Sequence, residues 1–430
     1  MGILLGCTQF LLIAIICVQE VKRKSPAVFL WSTLMIMFGV MHLLTVFTDN
    51  SQYTRSALDE TSLFVILFCV FYMTTRSIIC LSQNKDYPLL SNIIKDNDTI
   101  TAHNYVSYLI VLFALVSFMM CYKLISFSGG ILNSSWGSGR DYTASLSYAN
   151  SNQIFNILYF SLSGLPLVLW LKKDRKASIF CVLVILIVTV LTRNRILILP
   201  LLVFILALFV SKIAHLRLKH LIFAAIAGIS VIYIVYGLRV FRHYGTIETF
   251  LREFNFSDFI EKINLYIATD NGELGLRNDF YYFVQHDNEF HGFGEMASYI
   301  RMLLVYVPTR FAFGLKPDDF AITMGSATGM AAGGSTHPTL FGDCYANAGF
   351  IGIFLGFFWA VYCSIADKIV IKCKNHTTKI LVYCLFSVTF IIMGRGSVYN
   401  SFFFVAWGIP MLWIIIGILK KLPKIRFRLR

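Results

Sequence analysis

The sequence predicts an all-α, polytopic integral membrane protein, and three observations lead to that prediction. Hydrophobic residues make up 57% of the 430-residue chain and charged residues only 14%, whereas soluble domains carry about 25% charged residues. The mean hydropathy is +0.69. Apolar runs of about 20 residues, the length that a membrane-spanning helix needs, recur along most of the sequence. A soluble multi-domain protein, a disordered chain and a secreted disulfide scaffold are therefore excluded.

The apolar runs predict about eleven transmembrane helices in a single membrane domain, residues 1–430. We expect the first run to be a membrane span and not a cleaved signal peptide, because no basic residue precedes it and the cluster Lys22-Arg23-Lys24 follows it. By the positive-inside rule, this flank predicts an external N-terminus and a cytoplasmic C-terminus. The predicted spans are 2–20, 27–47, 62–81, 104–125, 153–171, 177–192, 196–211, 221–238, 346–366, 379–393 and 402–419.

The stretch 177–211 is too long for one transmembrane helix and short for two, and the flanking charges decide between them. Basic clusters lie on both sides of it, at 172–176 and at 212–219. Two short helices with a tight turn at 192–195 place both clusters in the cytoplasm, whereas one long helix places them on opposite sides. We therefore predict two helices, with Arg193 and Arg195 at or below the outer membrane surface.

The net charge of +14 is distributed among the loops, which is typical of the positive-inside rule and not of a nucleic-acid-binding face. Of the 22 basic residues predicted inside, 16 are Lys, whereas 11 of the 13 predicted outside are Arg. Topology does not require Arg, but bidentate recognition of phosphate or carboxylate does. The external face is therefore expected to bind an anionic ligand.

One external loop, residues 239–336, is much longer than the others, and loops of this length are usually functional or disordered. Its aromatic residues favour order, and 296–313 is expected to be an interfacial or re-entrant helix rather than a twelfth span. The loop carries candidates for a general base, but their spacing does not choose among them. These candidates are Asp270, Glu273, Asp279, Asp287 and Glu289.

Three residues stand out as candidates for chemistry, each with an ordinary alternative. Arg193 and Arg195 could cap two helix ends and extend to the interface, although paired arginines at the membrane edge indicate a functional site by default. His337, just before a predicted span, could be a solvated loop residue. No phosphate-loop, HExxH or GxSxG motif is present in the sequence, so chemistry driven by nucleotides is not expected.

Short motifs in a particular order carry a resemblance to a known family. The run Leu191-Thr192-Arg193-Asn194-Arg195-Ile196-Leu197 resembles a T-x-SR-x-x-L turn, with Asn in place of Ser. His337-Pro338-Thr339-Leu340, followed by Gly349-Phe350-Ile351-Gly352, is similar to H-N-x-x-L … G-x-x-G, with Pro338 in place of Asn. Val307-Pro308-Thr309-Arg310 with Lys316-Pro317 looks like an iPR … KP stretch. Together with the topology, these motifs resemble the Wzy-type O-antigen polymerase and O-antigen ligase superfamily.

The resemblance implies a GT-C-like, metal-independent glycosyltransferase without a cofactor, in the bacterial cytoplasmic (inner) membrane. It would transfer a growing glycan from undecaprenyl pyrophosphate to the non-reducing end of the next lipid-linked repeat unit. The implied partners are undecaprenyl-pyrophosphate-linked oligosaccharide, membrane lipid, a Wzz-type chain-length regulator and a flippase, with no nucleic acid. The implied catalytic residues are His337, Arg193 and Arg195. The implied pyrophosphate- or substrate-binding residues are Arg239, Arg242, Arg310, Lys316, Arg301 and Arg395.

Two other functions stay open at this point. A ligase that moves finished polymer onto lipid A core or another acceptor would have the same fold and arginines. A flippase or other transporter of the lipid-linked glycan is more distant, because transporters commonly show internal repeats and no matching halves are visible here. Aromatic side chains of the long loop are expected to stack on sugar rings in either enzyme.

Overall fold

The structure is a computed structural model of the whole chain. It describes residues 2–48, 52–81, 89–95, 105–128, 130–131, 146–192, 194–212, 244–268, 274–286, 293–327, 337–396 and 398–422, with 222, 226, 229–230, 233–234 and 236–241. These residues are mainly α-helical, and no β-strand lies among them.

The α-helices are numbered here in chain order. They are α1 (Gly2–Arg23), α2 (Ala27–Leu34), α3 (His42–Thr48), α4 (Arg55–Leu81), α5 (Leu89–Lys95), α6 (Tyr105–Phe127), α7 (Leu146–Ser161), α8 (Leu165–Leu171), α9 (Arg175–Thr192), α10 (Leu199–Lys212), α11 (Ile247–Glu253), α12 (Phe256–Ala268), α13 (Asn278–Gln285), α14 (Ala297–Leu303), α15 (Phe320–Ala327), α16 (Thr339–Ala348), α17 (Leu355–Lys372), α18 (His376–Arg395) and α19 (Val398–Leu419).

Nine helical stretches of the described chain are long and apolar enough to cross a membrane, which confirms a multi-pass membrane protein. Each corresponds to a predicted span. A tenth predicted span, 196–211, is a shorter apolar helix, Arg195–Ser211, and the eleventh, 221–238, lies largely outside the described residues. The nine stretches are Gly2–Arg23, Ala27–Thr48, Arg55–Leu81, Tyr105–Phe127, Gln153–Leu171, Arg175–Thr192, Thr339–Lys372, His376–Arg395 and Val398–Leu419.

The predicted break between residues 192 and 195 is confirmed. Helix α9 ends at Thr192, and a 3₁₀ turn, Arg195–Ile198, leads into α10. Asn194 caps the new helix, because its side-chain oxygen accepts a hydrogen bond from the backbone N–H of Ile196. The hydroxyl of Thr192 accepts in turn from the backbone N–H of Asn194, at 3.4 Å. The Asn at this position therefore has a structural role: it satisfies an N–H that the helix start leaves open.

Contacts within the chain divide it into two compact units. The first comprises residues 1–92, 274–373 and 389–406, and the second comprises 93–273, 374–388 and 407–430.

A buried ionic network holds together three spans of the first unit. Arg76 of α4 donates to both oxygens of Glu20 in α1, and its Nη2 lies 2.6 Å from Oδ2 of Asp367 in α17. Ser25 and Ser364 complete the hydrogen bonds of this cluster. Arg76, Glu20 and Asp367 are all 0% exposed. Three spans are therefore joined by charge in a region where an unpaired charge is costly.

The second predicted span is interrupted by a π-helix, Met35–Met41, between α2 and α3. A π-helix leaves one backbone carbonyl without its normal partner, and here Gln9 of α1 donates through Nε2 to the carbonyl of Phe38 at 2.6 Å. His42 follows the π-helix directly and is fully buried. Insertions of this kind are frequent at functional sites.

The second unit is built mainly by close helix packing. A Cβ on Gly164 would lie 3.0 Å from the Cα of Leu381, so this position brings two backbones together. Gly408 similarly faces Ser161, whose Oγ would lie 2.7 Å from a Cβ there. Tyr159 is fully buried and donates to the carbonyl of Leu197, next to the turn that carries Arg195. Small residues at helix contacts are typical of membrane proteins.

The described parts of the long loop 239–336 are largely helical. Helix α14 contains only seven residues and ends at Leu303, so 296–313 does not form a twelfth span. Met296 before it has a positive φ of 55°, and a 3₁₀ turn follows at Thr309–Phe311.

Candidate functional site

Helix α16 is the central element of the candidate site in the first unit. It begins directly after His337 and Pro338, and two segments of the long loop pack on different faces of it. Gly342 and Tyr345 face α13: a Cβ on Gly342 would lie 3.0 Å from the Cβ of Phe280, and the rings of Phe280 and Tyr345 are 5.4 Å apart. The neighbouring face of α16 holds α14.

Helix α13 is anchored to the transmembrane helices by polar contacts and by aromatic packing. The Tyr281 hydroxyl lies 2.6 Å from Nδ1 of His42, and Nε2 of His42 lies 2.7 Å from Oγ of Ser62. Arg277, just before the helix, is 2% exposed and donates to Oγ1 of Thr45. The side chains on one face of α13 are therefore rigidly placed.

Helix α14 is attached to α16 by buried hydrogen bonds. Ser298 donates from its hydroxyl to Oδ2 of Asp343 at 2.8 Å, and its backbone N–H donates to Oδ1 of Asn347. Asp343 is 3% exposed, and its Oδ1 has no hydrogen-bond partner in the described part of the chain. The attachment determines where Arg301, one turn further along α14, is held.

Arg301 and Lys316 form a pair of cations that donate to backbone carbonyls, and Arg301 also bonds the side chain of Tyr399. Arg301 donates to the carbonyl of Pro317 at 2.5 Å, and its guanidinium lies 4.6 Å from the centre of the Tyr399 ring. Lys316 donates to the carbonyl of Val307 at 2.8 Å. Burial, and the positive charge of Arg301, lower the pKa of the Lys316 ammonium.

No carboxylate of the described residues forms an ion pair with Arg301 or Lys316. The nearest acidic residue in the chain that is not exposed, Asp319, accepts from the backbone N–H of Ala321 and so caps α15. The Nε of Arg301 is buried without a hydrogen-bond partner among the residues described. Two cations with spare donor capacity and no acidic partner are the composition of an anion site.

His337 lies against the turn between the last two helices. A Cβ on Gly396 would lie 2.7 Å from the carbonyl oxygen of His337 and 2.7 Å from the backbone nitrogen of Thr339. Since Gly396 also has a φ of +134°, only glycine fits there without displacement. Arg395, one residue earlier, ends α18. The structure therefore brings the His337 and Arg395 segments together.

Thr339 carries the backbone strain of this region. Its φ is +67°, which is a genuine outlier for a β-branched residue, and its hydroxyl bonds the carbonyl of Pro338. Conformations of this kind cost about 1–3 kcal/mol each and cluster at functional sites. The outlier lies within the His337-Pro338-Thr339-Leu340 motif.

Asp279, in the first turn of α13, is the one member of the five base candidates that lies among the described residues; the other four fall outside them. It is half-buried and forms no hydrogen bond or ion pair with any residue that the structure describes. Burial raises the pKa of this carboxyl to about 7. A carboxyl with this pKa can accept a proton near neutral pH.

The structure does not place the remaining predicted site residues at this candidate site. Arg310 is exposed and stacks on its neighbour Phe311. Arg195 and Arg239 belong to the second unit, where Arg195 is half-buried and Arg239 lies 4.9 Å from the centre of the Tyr266 ring. Arg193 and Arg242 lie outside the described residues.

The structure limits which aromatic residues of the run 280–283 could stack on a sugar ring. Of the run at 280–283, Phe280, Tyr281 and Phe283 are 0% exposed, because they form the contact between α13 and the spans. Tyr282 is half-buried, and its ring centre lies 4.2 Å from that of His286. Only Tyr282 of the four retains a face for a ligand.

Sequence reasoning missed the network of Glu20, Arg76 and Asp367 and the burial of His42. The signal was present, since an ionisable residue within an apolar span is unusual and needs a partner.

Neither a protein-family model, nor a curated protein, nor a solved structure matches this chain.

Proposed function

We propose that this protein is a metal-independent glycosyltransferase that polymerises lipid-linked oligosaccharide repeat units outside the bacterial cytoplasmic membrane. The donor is a growing glycan on a polyprenyl pyrophosphate, and the acceptor is one lipid-linked repeat unit. The motif resemblance supplies the reaction. The observation that supports it best is the Arg301–Lys316 pair, because the leaving group of this reaction carries several negative charges.

In the proposed reaction, a hydroxyl at the non-reducing end of the acceptor attacks the anomeric carbon of the donor. The bond from that carbon to the pyrophosphate oxygen breaks, and negative charge develops on the leaving group. Arg301 and Lys316 are held by carbonyls before any ligand arrives, so they stabilise this charge with little reorganisation. The guanidinium keeps free donors for a bidentate contact with pyrophosphate.

His337 is proposed to contact the acceptor hydroxyl. The close approach of Gly396 to the His337 carbonyl and the strained Thr339 support this role, because both restrict where the imidazole can lie. Arg193 and Arg195 are proposed as pyrophosphate-binding residues because of the motif in which they lie.

Deletion of the protein tests the proposal. A polymerase deletion leaves single repeat units on the final glycan acceptor, whereas a ligase deletion leaves lipid-linked polymer that is never transferred. A glycan ladder that is unchanged by deletion contradicts both enzyme functions.

Matched variants test the anion site. Arg301→Lys keeps the charge but loses the fork geometry, so we expect a roughly 30- to 1000-fold lower polymerisation rate at normal protein levels, equivalent to about 2–4 kcal/mol. Arg252→Lys is the control, because Arg252 is an exposed arginine of the same loop and belongs to neither the motifs nor the Arg301–Lys316 pair. Equal ladders from the two variants would remove the support that this pair gives to the proposal.

A further inference from the structure

The solvent-facing side of α13 carries three groups that the proposed function does not yet use. Asp279, Tyr282 and His286 follow one another at helical spacings of three and four residues, which places them along one side of the helix. Tyr282 and Asp279 are half-buried, and His286 is exposed. The opposite side, with Phe280, Tyr281 and Val284, is buried. The position of this face is therefore well determined by packing.

The ring pair on this face is preorganised. His286 caps α13 with its Nδ1 2.8 Å from the carbonyl of Tyr282, and the two rings are tilted by 40° at a centre separation of 4.2 Å. An aromatic ring offers an apolar surface with a polar group at its edge. Such a surface suits a sugar ring, which has apolar C–H faces and hydroxyl edges.

The first turn of α13, which contains Asp279, packs on α16 next to the His337 motif. Phe280, the neighbour of Asp279, lies against Gly342, and a Cβ on Gly342 would also lie 3.0 Å from the Cβ of Pro338. The first turns of the two helices therefore meet at this glycine. The helix turn that carries Asp279 and the motif proposed to contact the acceptor are therefore neighbours within the first unit.

Four ionisable groups close to α13 have partners of their own, and Arg55 of α4 donates to the carbonyl of Val46. Glu60 accepts from the Tyr345 hydroxyl at 3.1 Å, Asp343 accepts from Ser298, His42 bonds Tyr281 and Ser62, and Arg277 bonds Thr45. Asp279 alone among these side chains has no partner in the described chain. The raised pKa of its carboxyl is caused by burial and not by any of these charges.

We propose that Asp279 is the general base that deprotonates the acceptor hydroxyl, and that Tyr282 and His286 hold the acceptor sugar. This inference rests on the proposed function. The acceptor oxygen forms its bond to the anomeric carbon, the pyrophosphate leaves with the electron pair of the broken bond, and the hydroxyl proton passes to the Asp279 carboxylate. The carboxyl then releases that proton to water before the next turnover.

Steady-state kinetics of the purified full-length protein test the inference. The substrate is the polyprenyl-pyrophosphate-linked oligosaccharide that accumulates in a deletion strain. General-base catalysis is worth about 100- to 10,000-fold, so Asp279→Asn is expected to lower kcat by that factor with an unchanged KM for the acceptor. Tyr282→Ala is expected to raise the acceptor KM instead. Asp258→Asn, at an exposed carboxyl of the same loop, is the control and is expected to match the wild type.

The pH profile separates catalysis from a structural role. The carboxylate form is the active one, so wild-type kcat rises with pH through about 7 and is level above it. The residual rate of Asp279→Asn is expected to lose this rise, and formate is expected to restore part of the rate to Asp279→Ala. If Asp279→Asn polymerises at the wild-type rate while the wild type is active, this inference is wrong and the proposed function stands. If the wild type forms no polymer, the proposed function itself fails.

Discussion

Arg76 and Glu20 form a bidentate ion pair inside the helix bundle, with Nε 2.9 Å from Oε1 and Nη2 3.0 Å from Oε2. Asp367 adds a second carboxylate to the same guanidinium, and Arg23 adds a second cation to Glu20. The cluster therefore holds two cations and two carboxylates and is neutral overall. Neutrality is what makes such a network tolerable in an apolar region.

Removal of the central cation is expected to destabilise the first unit strongly. Arg76→Met leaves two buried carboxylates facing each other, and removing one partner of a buried pair costs about 3–5 kcal/mol. Arg23→Gln is the comparison, because Arg23 is 16% exposed and bonds only Glu20 in this network; it is expected to cost clearly less than Arg76→Met. Thermal unfolding in detergent measures both, and equal midpoints would contradict a stabilising role for Arg76.

Gly396→Ala is expected to abolish polymerisation or prevent accumulation, because the added methyl would overlap the backbone at His337 and Thr339. Gly130→Ala is a matched control. Gly130 has a similar φ of +147° but no atom within 4 Å of an added Cβ. The two variants share the backbone strain, so any difference between their glycan ladders reports the contact with His337. Full activity of Gly396→Ala would show that this contact is not required.

Asn194→Ala is expected to destabilise the start of the 3₁₀ turn, because it removes the acceptor for the N–H of Ile196. Loss of a cap of this type costs about 0.5–2 kcal/mol. Asn194→Ser keeps a side-chain oxygen that can cap the turn, so this variant is expected to behave as the wild type. Thermal unfolding and accumulation in membranes compare the three proteins. The prediction fails if the Ala and Ser variants are equally stable.

Arg193→Lys and Arg195→Lys test why arginine occupies this turn. If the side chains only anchor helix ends, lysine serves as well, because both charges satisfy the interface. If their planar guanidinium groups bind pyrophosphate bidentately, at least one variant should accumulate normally and polymerise roughly 30- to 1000-fold more slowly. Full-length glycan ladders from both variants at native expression would exclude pyrophosphate binding by this turn. Arg301 and Lys316 would then remain as the proposed anion site.

The predicted orientation can be measured by thiol labelling. The ten native cysteines are free, so a cysteine-free background breaks no disulfide. Ser257→Cys, at an exposed position in the long loop, is expected to react with an impermeant reagent in intact cells. Lys421→Cys, exposed after the last helix, is expected to react only after lysis. The reverse pattern would overturn the external location of residues 239–336.

The spans were predictable because each is a local apolar run, and the turn at 192–195 was predictable because charge flanks it. The ion pairs were not, since Arg76 meets Glu20 and Asp367 across 56 and 291 residues of chain. Asp279 could be proposed from the sequence only as one of five carboxylates. Of the five, Asp279 lies among the described residues, and its partial burial depends on how α13 packs, which no local pattern predicts. The positive φ of Thr339 contradicts the local preference of a β-branched residue, so no local rule predicts it.

The buried ionic network of Glu20, Arg76 and Asp367 has a consequence for biosynthesis. Glu20 and Arg76 lie in the first and third candidate spans, Gly2–Arg23 and Arg55–Leu81, so they can pair while most of the chain is still untranslated. Asp367 follows Arg76 by 291 residues, which takes roughly 15–60 s at about 5–20 residues per second. During that interval the carboxylate of Glu20 can pair with the guanidinium of Arg76. The bond from Arg76 to Asp367 can form only after the span Thr339–Lys372 has been made. The bundle is therefore completed in two stages, and the ribosome sets the delay between them.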